Sequence, residues 1–176
     1  MSLGRELYFN TGDTNFIALV NHHTYYSFIE ENWDFEMLKR HWICETQNEN
    51  ILVFQMTEEG IESDWKISIT TQPPKDVQCY RKDEGVIKVT NGELCFVEYT
   101  CLTMAAQFKD CKIPDEYCKE FKFSIENGVY KVGIFQFYNV DEEKYIGCND
   151  TDIMFVFTKE EEVNKNASPK IFWCTY

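Results

Sequence analysis

The stretch that decides the fold is VIKVTNGELCFVEYTC, residues 86–101. Apolar and polar residues alternate before the central Asn91-Gly92 pair, and apolar residues dominate after it. Asn-Gly tolerates the positive φ that a tight primed turn requires at both central positions. The stretch therefore predicts a β-hairpin that joins strands 86–90 and 93–101.

Further strands are predicted on both sides of this hairpin, from short apolar or alternating runs. They cover residues 16–20, 51–56, 65–70, 121–125, 129–138, 152–157 and 170–174, with a second turn at Glu126-Asn127-Gly128. Both faces of 129–138 are apolar, which predicts a central strand. About eight strands joined by short turns predict a mainly β protein, an antiparallel β-sandwich or barrel that forms one domain over residues 1–176.

One short helix is predicted near residues 33–42. Asn32 is the predicted N-cap, and Phe35, Leu38 and Trp42 recur at helical spacing to form an apolar face. Acidic residues fall in the first turn and basic residues in the last, as the helix dipole favours. Residues 102–119 and 139–151 are predicted to be long irregular loops, where binding residues tend to lie.

The charge of the chain is strongly negative, because 17 Lys and Arg stand against 30 Asp and Glu, a net −13. Such a chain repels phosphate backbones, so we expect no nucleic-acid partner. An acidic surface instead favours a basic protein partner, although charge also serves solubility alone. No apolar run approaches the roughly 18 residues of a membrane span, so we expect no membrane partner.

Eight cysteines leave the compartment open between two alternatives. Their even number and the sequons Asn149-Asp150-Thr151 and Asn166-Ala167-Ser168 are typical of a secreted, disulfide-linked domain. Several cysteines instead lie inside apolar runs, such as 94–97, as buried free thiols do. Residues 1–6 contain no apolar signal segment. The sequence therefore favours a cytoplasmic protein, with secretion as the alternative.

The residues that could carry chemistry form no catalytic or metal-binding motif. His22, His23, His41 and Cys44 are candidate zinc ligands, but they lack the paired spacing of structural zinc sites. The acidic run 141–152 is a candidate calcium loop, but it lacks the EF-hand pattern. No GxSxG, Cys–His or glycine-rich phosphate motif occurs. We therefore expect a protein that is not an enzyme and that has no metal and no cofactor.

The segment FSIENGVYKV, residues 123–132, precedes an aromatic strand, an acidic loop and the strand 153–157. This order resembles the C-terminal half of small acidic bacterial inhibitor domains, which include the competence nuclease inhibitor and some toxin-immunity proteins. The resemblance covers residues 123–157. It implies a β-sandwich that binds a basic toxin or nuclease, and it carries over no catalytic residue.

The function predicted from the sequence is that of a non-catalytic protein-binding module, an inhibitor or immunity protein that uses an acidic face against a basic partner. The predicted contact residues are Asp141, Glu142, Glu143, Asp150 and Asp152, with exposed Tyr or Trp as anchors. The alternative is a secreted, disulfide-linked β-barrel that binds a small apolar ligand or a host protein. Neither prediction specifies an oligomeric state.

Overall fold

The structure, a computed structural model, describes residues 3–10, 15–59, 62–76, 78–161 and 168–176. Its strands are β1 (Gly4–Asn10), β2 (Phe16–Val20), β3 (Ile51–Gln55), β4 (Asp64–Thr70), β5 (Arg81–Val89), β6 (Glu93–Glu98), β7 (Lys122–Ser124), β8 (Gly128–Gln136), β9 (Tyr138–Asn139), β10 (Lys144–Tyr145) and β11 (Ile153–Glu160). Its helices are α1 (Phe35–Gln47), α2 (Tyr99–Gln107) and a short 3₁₀ helix (Cys118–Phe121).

The strands form two main sheets, in the orders β1-β4-β11-β8-β5 and β3-β2-β6-β7, and β9 pairs with β10. Every strand pair is antiparallel except β4 with β11, which run parallel. As predicted for a central strand, β8 has a hydrogen-bonded partner on each side. The protein is therefore mainly β and built like an antiparallel sandwich, which confirms the predicted fold class.

Aromatic rings fill the space between the two sheets. The Phe155 ring on β11 lies 5.4 Å from Phe54 on β3 and 4.9 Å from Phe96 on β6, centroid to centroid. Phe157 and Phe123 make a similar contact at 5.8 Å. These buried rings explain much of the high aromatic content, since edge-to-face ring pairs stabilise a core beyond their area alone.

Both helices lie on the outer face of the four-stranded sheet. Every residue of β2 and β3 is buried, and the Trp42 ring of α1 lies 5.7 Å from the Phe16 ring of β2. The Tyr99 ring of α2 lies 5.9 Å from the same phenylalanine. Because sheet and helices cover these strands on both faces, their sequences are continuous apolar runs without alternation.

The first helix begins two residues later than predicted and extends further. Asp34, not Asn32, is the N-cap, and its carboxylate accepts a 2.8 Å hydrogen bond from the Met37 N–H. The helix continues past the predicted end at residue 42 to Gln47, and its last turn contains no basic residue. Asp34 offers the same capping chemistry as Asn32, so the sequence did not distinguish them.

A second helix was missed. The strand predicted over 93–101 ends at Glu98, and the loop predicted over 102–119 begins inside α2. The Glu98 carboxylate accepts hydrogen bonds from the N–H groups of Thr100 (2.9 Å) and Cys101 (2.7 Å), which satisfies two free donors at the helix start. Glutamate is not a favoured N-cap residue, so this start was not visible in the sequence.

The predicted Asn91-Gly92 hairpin is wrong. The turn exists, with φ at Gly92 of 70°, but it carries the chain from β5 in one sheet to β6 in the other. The second turn, at residues 126–128, likewise crosses between sheets, from β7 to β8. The two turns touch, because the Gly92 N–H donates a 2.7 Å hydrogen bond to Asn127 Oδ1. Each is a corner of the sandwich.

Two features of the secreted-barrel alternative, a closed barrel and disulfide bonds, are not seen in the described residues. The two main sheets remain separate and do not close into a barrel, and each of the eight cysteines is a free thiol. The strand predicted over 170–174 is reduced to one bridge between Phe172 and Phe54. The sequon at 166–168 lies largely outside the described residues, while Asn149 is exposed. No helix that the structure describes has the length and apolarity to cross a bilayer.

Candidate protein-binding surface

Two loops meet at one end of the five-stranded sheet. One precedes β4 and the other precedes β11, and since these neighbouring strands run parallel, both loops lie at the same end. They touch directly, because the Glu58 N–H lies 3.4 Å from Asp141 Oδ1. They are also joined at their bases, where Asp152 N donates to the Lys66 carbonyl at 2.9 Å.

Eight exposed carboxylates lie on these two loops and at the first residue of β4, and we call this set the acidic surface. Its members are Glu58, Glu59, Glu62, Asp64, Asp141, Glu142, Glu143 and Asp150. The two loops contain one basic residue, Lys144. Within the described part of the chain, none of the eight forms an ion pair, although seven lysine–carboxylate ion pairs occur elsewhere. The acidic surface is therefore a cluster of carboxylates that have no ion-pair partner among the described residues.

Asp152 differs from the other four predicted contact residues, because it is buried. Its carboxylate accepts hydrogen bonds from the Lys66 N–H at 2.7 Å and from the Tyr145 hydroxyl at 2.6 Å. The hydrogen bond to this carboxylate, with some help from burial, raises the pKa of Tyr145 to about 12. Asp152 thus stabilises the end of the loop through these hydrogen bonds, while the other four carboxylates are exposed to solvent.

Backbone contacts hold the second loop against the sheet. Gly147 has φ of 87°, a conformation that favours glycine, and a Cβ atom at this position would collide with the carbonyl oxygen of Gln78. Nearby, the Ile146 N–H donates a 2.8 Å hydrogen bond to the Phe137 carbonyl. The loop is therefore docked closely on the neighbouring segment and does not stand away from the body of the protein.

A largely buried arginine lies under the acidic surface. Arg81 donates hydrogen bonds to the Gln55 carbonyl (2.8 Å) and to Gln136 Oε1 (2.7 Å), and its guanidinium lies 4.1 Å from the Trp173 ring centroid. Burial lowers its pKa to about 10, although the nearby carboxylates of Asp141 and Glu58 oppose the shift. At neutral pH the group remains charged, and it attracts Asp141 and Glu58 without forming an ion pair with either.

Two tyrosines add exposed aromatic area beside the carboxylates. The Tyr145 side chain is 43% exposed and packs against Tyr138 in a tilted arrangement, with ring centroids 4.6 Å apart. Tyr176 is 61% exposed, and its hydroxyl donates to the Glu58 carbonyl at 2.8 Å. Rigid, half-exposed tyrosines next to charged groups are typical of interaction hot spots. The sequence did not point to Tyr176, nor to the loop at 58–64.

The candidate zinc ligands lie apart from this surface. His41 Nε2 is 2.7 Å from the Tyr26 carbonyl oxygen, and His23 Nδ1 is 2.9 Å from Thr90 Oγ1. Cys44 is exposed on α1. Among the residues that the structure describes, neither these side chains nor the acidic loop brings three ligand atoms close enough to hold an ion.

Comparison with known proteins finds similar structures but no similar sequence. No protein-family model and no curated protein matches the chain. One similar solved structure is that of crocagin biosynthetic gene J, at 13% identity and a TM-score of 0.58, which covers 92% of this chain and 99% of that one. This likeness shows a shared fold.

A second similar structure is ComJ from Bacillus subtilis, an inhibitor of the DNA-degrading activity of NucA. It is 9% identical with a TM-score of 0.45, and the alignment covers 91% of this chain and 98% of ComJ. The structural neighbours do include a nuclease inhibitor, the class that residues 123–157 resemble.

Proposed function

We propose that this protein is a non-catalytic binding module that presents its acidic surface to a basic protein. The observation that carries the proposal is the set of eight exposed carboxylates on two touching loops, none of them in an ion pair within the described residues. Lysines neutralise acidic residues elsewhere on the protein. A cluster of one sign steers an oppositely charged partner toward the surface and sets its orientation.

The support under the surface suits this role. The loop before β11 is held by Asp152, Gly147 and main-chain hydrogen bonds, so little ordering entropy of this loop is lost when a partner binds. Tyr145 and Tyr176 provide apolar area that can be buried at the centre of a contact, while the carboxylates provide attraction at longer range.

The more specific form of the proposal is inhibition, in which the basic partner is a nuclease or toxin. A nuclease needs a basic cleft to bind its polyanionic substrate, and a rigid acidic surface is complementary to such a cleft. The resemblance of residues 123–157 to nuclease inhibitors motivates this form. In it, Asp141, Glu142, Glu143 and Asp150 occupy the position of the substrate phosphates.

The test compares two variants of equal charge. One carries Asp141→Asn, Glu142→Gln, Glu143→Gln and Asp150→Asn. The control carries Glu36→Gln, Glu84→Gln, Glu116→Gln and Glu126→Gln, at exposed positions that form ion pairs with lysines. Each variant has a net charge of −13 + 4 = −9, so a difference between them reports where the charge lies.

Wild-type protein and both variants are used to capture partners from cells of the source organism, and the association rate of a purified partner is then measured across salt concentrations. We expect a basic partner whose association rate falls about tenfold or more in the acidic-surface variant and changes little in the control. Equal losses in the two variants, or a partner whose binding does not respond to salt, would contradict the proposal. If the partner degrades DNA, a plasmid-degradation assay tests inhibition directly.

A further inference from the structure

Three chemically active side chains meet away from the acidic loops, where α2 packs beside the 3₁₀ helix. The sulfur atoms of Cys101 and Cys118 and a carboxylate oxygen of Asp115 all lie within 4.8 Å of one another. They come from α2, from the segment that precedes the 3₁₀ helix, and from the first residue of that helix. It is the one such group of metal-ligating atoms found in the part of the chain that the structure describes.

Both thiols are buried, with at most 2% of either residue exposed, while Asp115 is half-buried. Asp115 Oδ1 accepts a 2.8 Å hydrogen bond from the Cys118 N–H, which holds the carboxylate beside the thiol. No lysine, arginine or histidine among the described residues forms an ion pair with this carboxylate. A cation bound beside this carboxylate would therefore meet no competing positive side chain in an ion pair with it.

We propose that Cys101, Asp115 and Cys118 form a binding site for a thiophilic divalent cation of the zinc class. Two sulfurs and one carboxylate oxygen are a ligand set that zinc accepts, with Zn–S near 2.3 Å and Zn–O near 2.1 Å. Tetrahedral geometry then places the ligand atoms about 3.6 to 3.8 Å apart. The observed group, with all separations within 4.8 Å, reaches this spacing by shifts of roughly 1 Å.

The surroundings define the rest of the site. Cys95 is also buried nearby, but its thiol donates to the Cys118 carbonyl at 3.2 Å, so it positions Cys118 and is not counted as a ligand. Asp115 is the most accessible of the three ligands, so a cation would approach the thiols from its side. The bound ion would link α2 to the 3₁₀ helix, since Cys101 lies in α2 and Cys118 begins the 3₁₀ helix.

The test uses Co²⁺ and Zn²⁺ on the full chain, treated with a chelator and kept under a phosphine reductant. We expect one equivalent of Co²⁺ per chain, with thiolate charge-transfer absorption and the visible bands of a tetrahedral ion, and displacement by Zn²⁺. Affinity falls by about 100-fold in Cys101→Ser and Cys118→Ser, and by about tenfold or more in Asp115→Asn. The matched control is Cys44→Ser, an exposed cysteine on α1, which leaves affinity unchanged.

Asp115→Asn keeps the inference open to refutation if a cysteine variant fails to fold, because the amide oxygen still accepts the Cys118 N–H while the charge is removed. Unchanged Co²⁺ affinity in this variant would overturn the site. So would an absence of the charge-transfer band in wild type, or a Cys101–Cys118 disulfide that persists under reductant in place of the ion. None of these outcomes bears on binding of a basic partner by the acidic surface.

Discussion

Carboxylates on and beside the strands β5, β8 and β11 form ion pairs with lysines, whereas those of the acidic surface do not in the part of the chain that the structure describes. On the strands, lysine ammonium groups lie 2.6 to 3.1 Å from the carboxylates of Asp83, Glu84 and Glu126. On the acidic surface, eight exposed carboxylates have no such partner within the described residues. Exposed ion pairs add little stability, but they cancel the local field. The contrast indicates that eight carboxylates without ion-pair partners are gathered at one end of the five-stranded sheet.

The two regions also differ in what lies beneath them. The paired acids sit on β5 or, for Glu126, on the turn before β8, whereas the acidic loops depend on a few buried polar groups, chiefly Arg81 and Asp152. Removing a supporting group should therefore cost far more than removing a charge that the support carries. Four measurements test this difference.

The largest effect is expected for Arg81→Ala. The substitution removes two charge-assisted hydrogen bonds and leaves Gln136 Oε1 buried without this donor. We expect a loss of about 3 kcal/mol in the free energy of unfolding, measured by urea denaturation. The control Lys131→Ala, which breaks only an exposed ion pair with Glu84, should cost less than about 1 kcal/mol. Similar losses for both would show that Arg81 is not a structural support.

A smaller loss is expected for Asp152→Ala. Without the carboxylate, the Lys66 N–H and the Tyr145 hydroxyl lose their acceptor, which should destabilise the protein by about 2 kcal/mol. Asp150→Ala, two residues away and exposed, should change stability by less than about 0.5 kcal/mol. Equal effects of the two substitutions in thermal melts would remove the distinction between support and surface.

Neutralising the acidic surface should stabilise the protein slightly. In the variant Asp141→Asn, Glu142→Gln, Glu143→Gln and Asp150→Asn, relief of like-charge repulsion should raise the melting midpoint by roughly 2–4 °C at low salt. The gain should shrink as salt screens the repulsion. The ion-paired control with four Glu→Gln substitutions should show no gain, and a gain there would mean that charge location is irrelevant.

The smallest effect concerns the Tyr145 hydroxyl. Its pKa is raised from 10 to about 12, because the neutral hydroxyl donates to Asp152. A raised pKa means that this contribution to stability is complete below pH 10 and is lost as pH rises toward 12. Subtracting the ultraviolet titration of Tyr145→Phe from that of wild type should isolate this late transition. Asp152→Asn should move it toward pH 10, and an unmoved transition would reject the assigned cause.

The sequence predicted the sandwich class but not its connections. Apolar runs such as 16–20 and 51–56 identified buried strands, because the spacing of apolar residues that marks such a strand lies within its own sequence. Pairing depends on partners far along the chain. β4 and β11 are adjacent and parallel, and no local pattern predicts that. The hairpin predicted at Asn91-Gly92 was wrong for the same reason. The turn residues indicate that the chain reverses direction, but not whether the next strand pairs with the previous one in the same sheet.

The position of the acidic surface was predicted in part. The exposed carboxylates at 141–150 follow from charge clustering in a loop, but the contact with Glu58 and the burial of Asp152 are tertiary facts. The group of Cys101, Asp115 and Cys118 was missed, because it contains neither a Cys-x-x-Cys motif nor a histidine pair. Asp115 and Cys118 are in fact three residues apart, a spacing within the usual range for paired zinc ligands.

The docking of Gly147 against Gln78 has a practical consequence for protein engineering. The frame of the loop is held by glycine geometry and main-chain contacts, so the outward side chains of Glu142, Glu143 and Asp150 can be replaced without disturbing it. Lysines at these positions would invert the charge of the loop while the sandwich below stays the same.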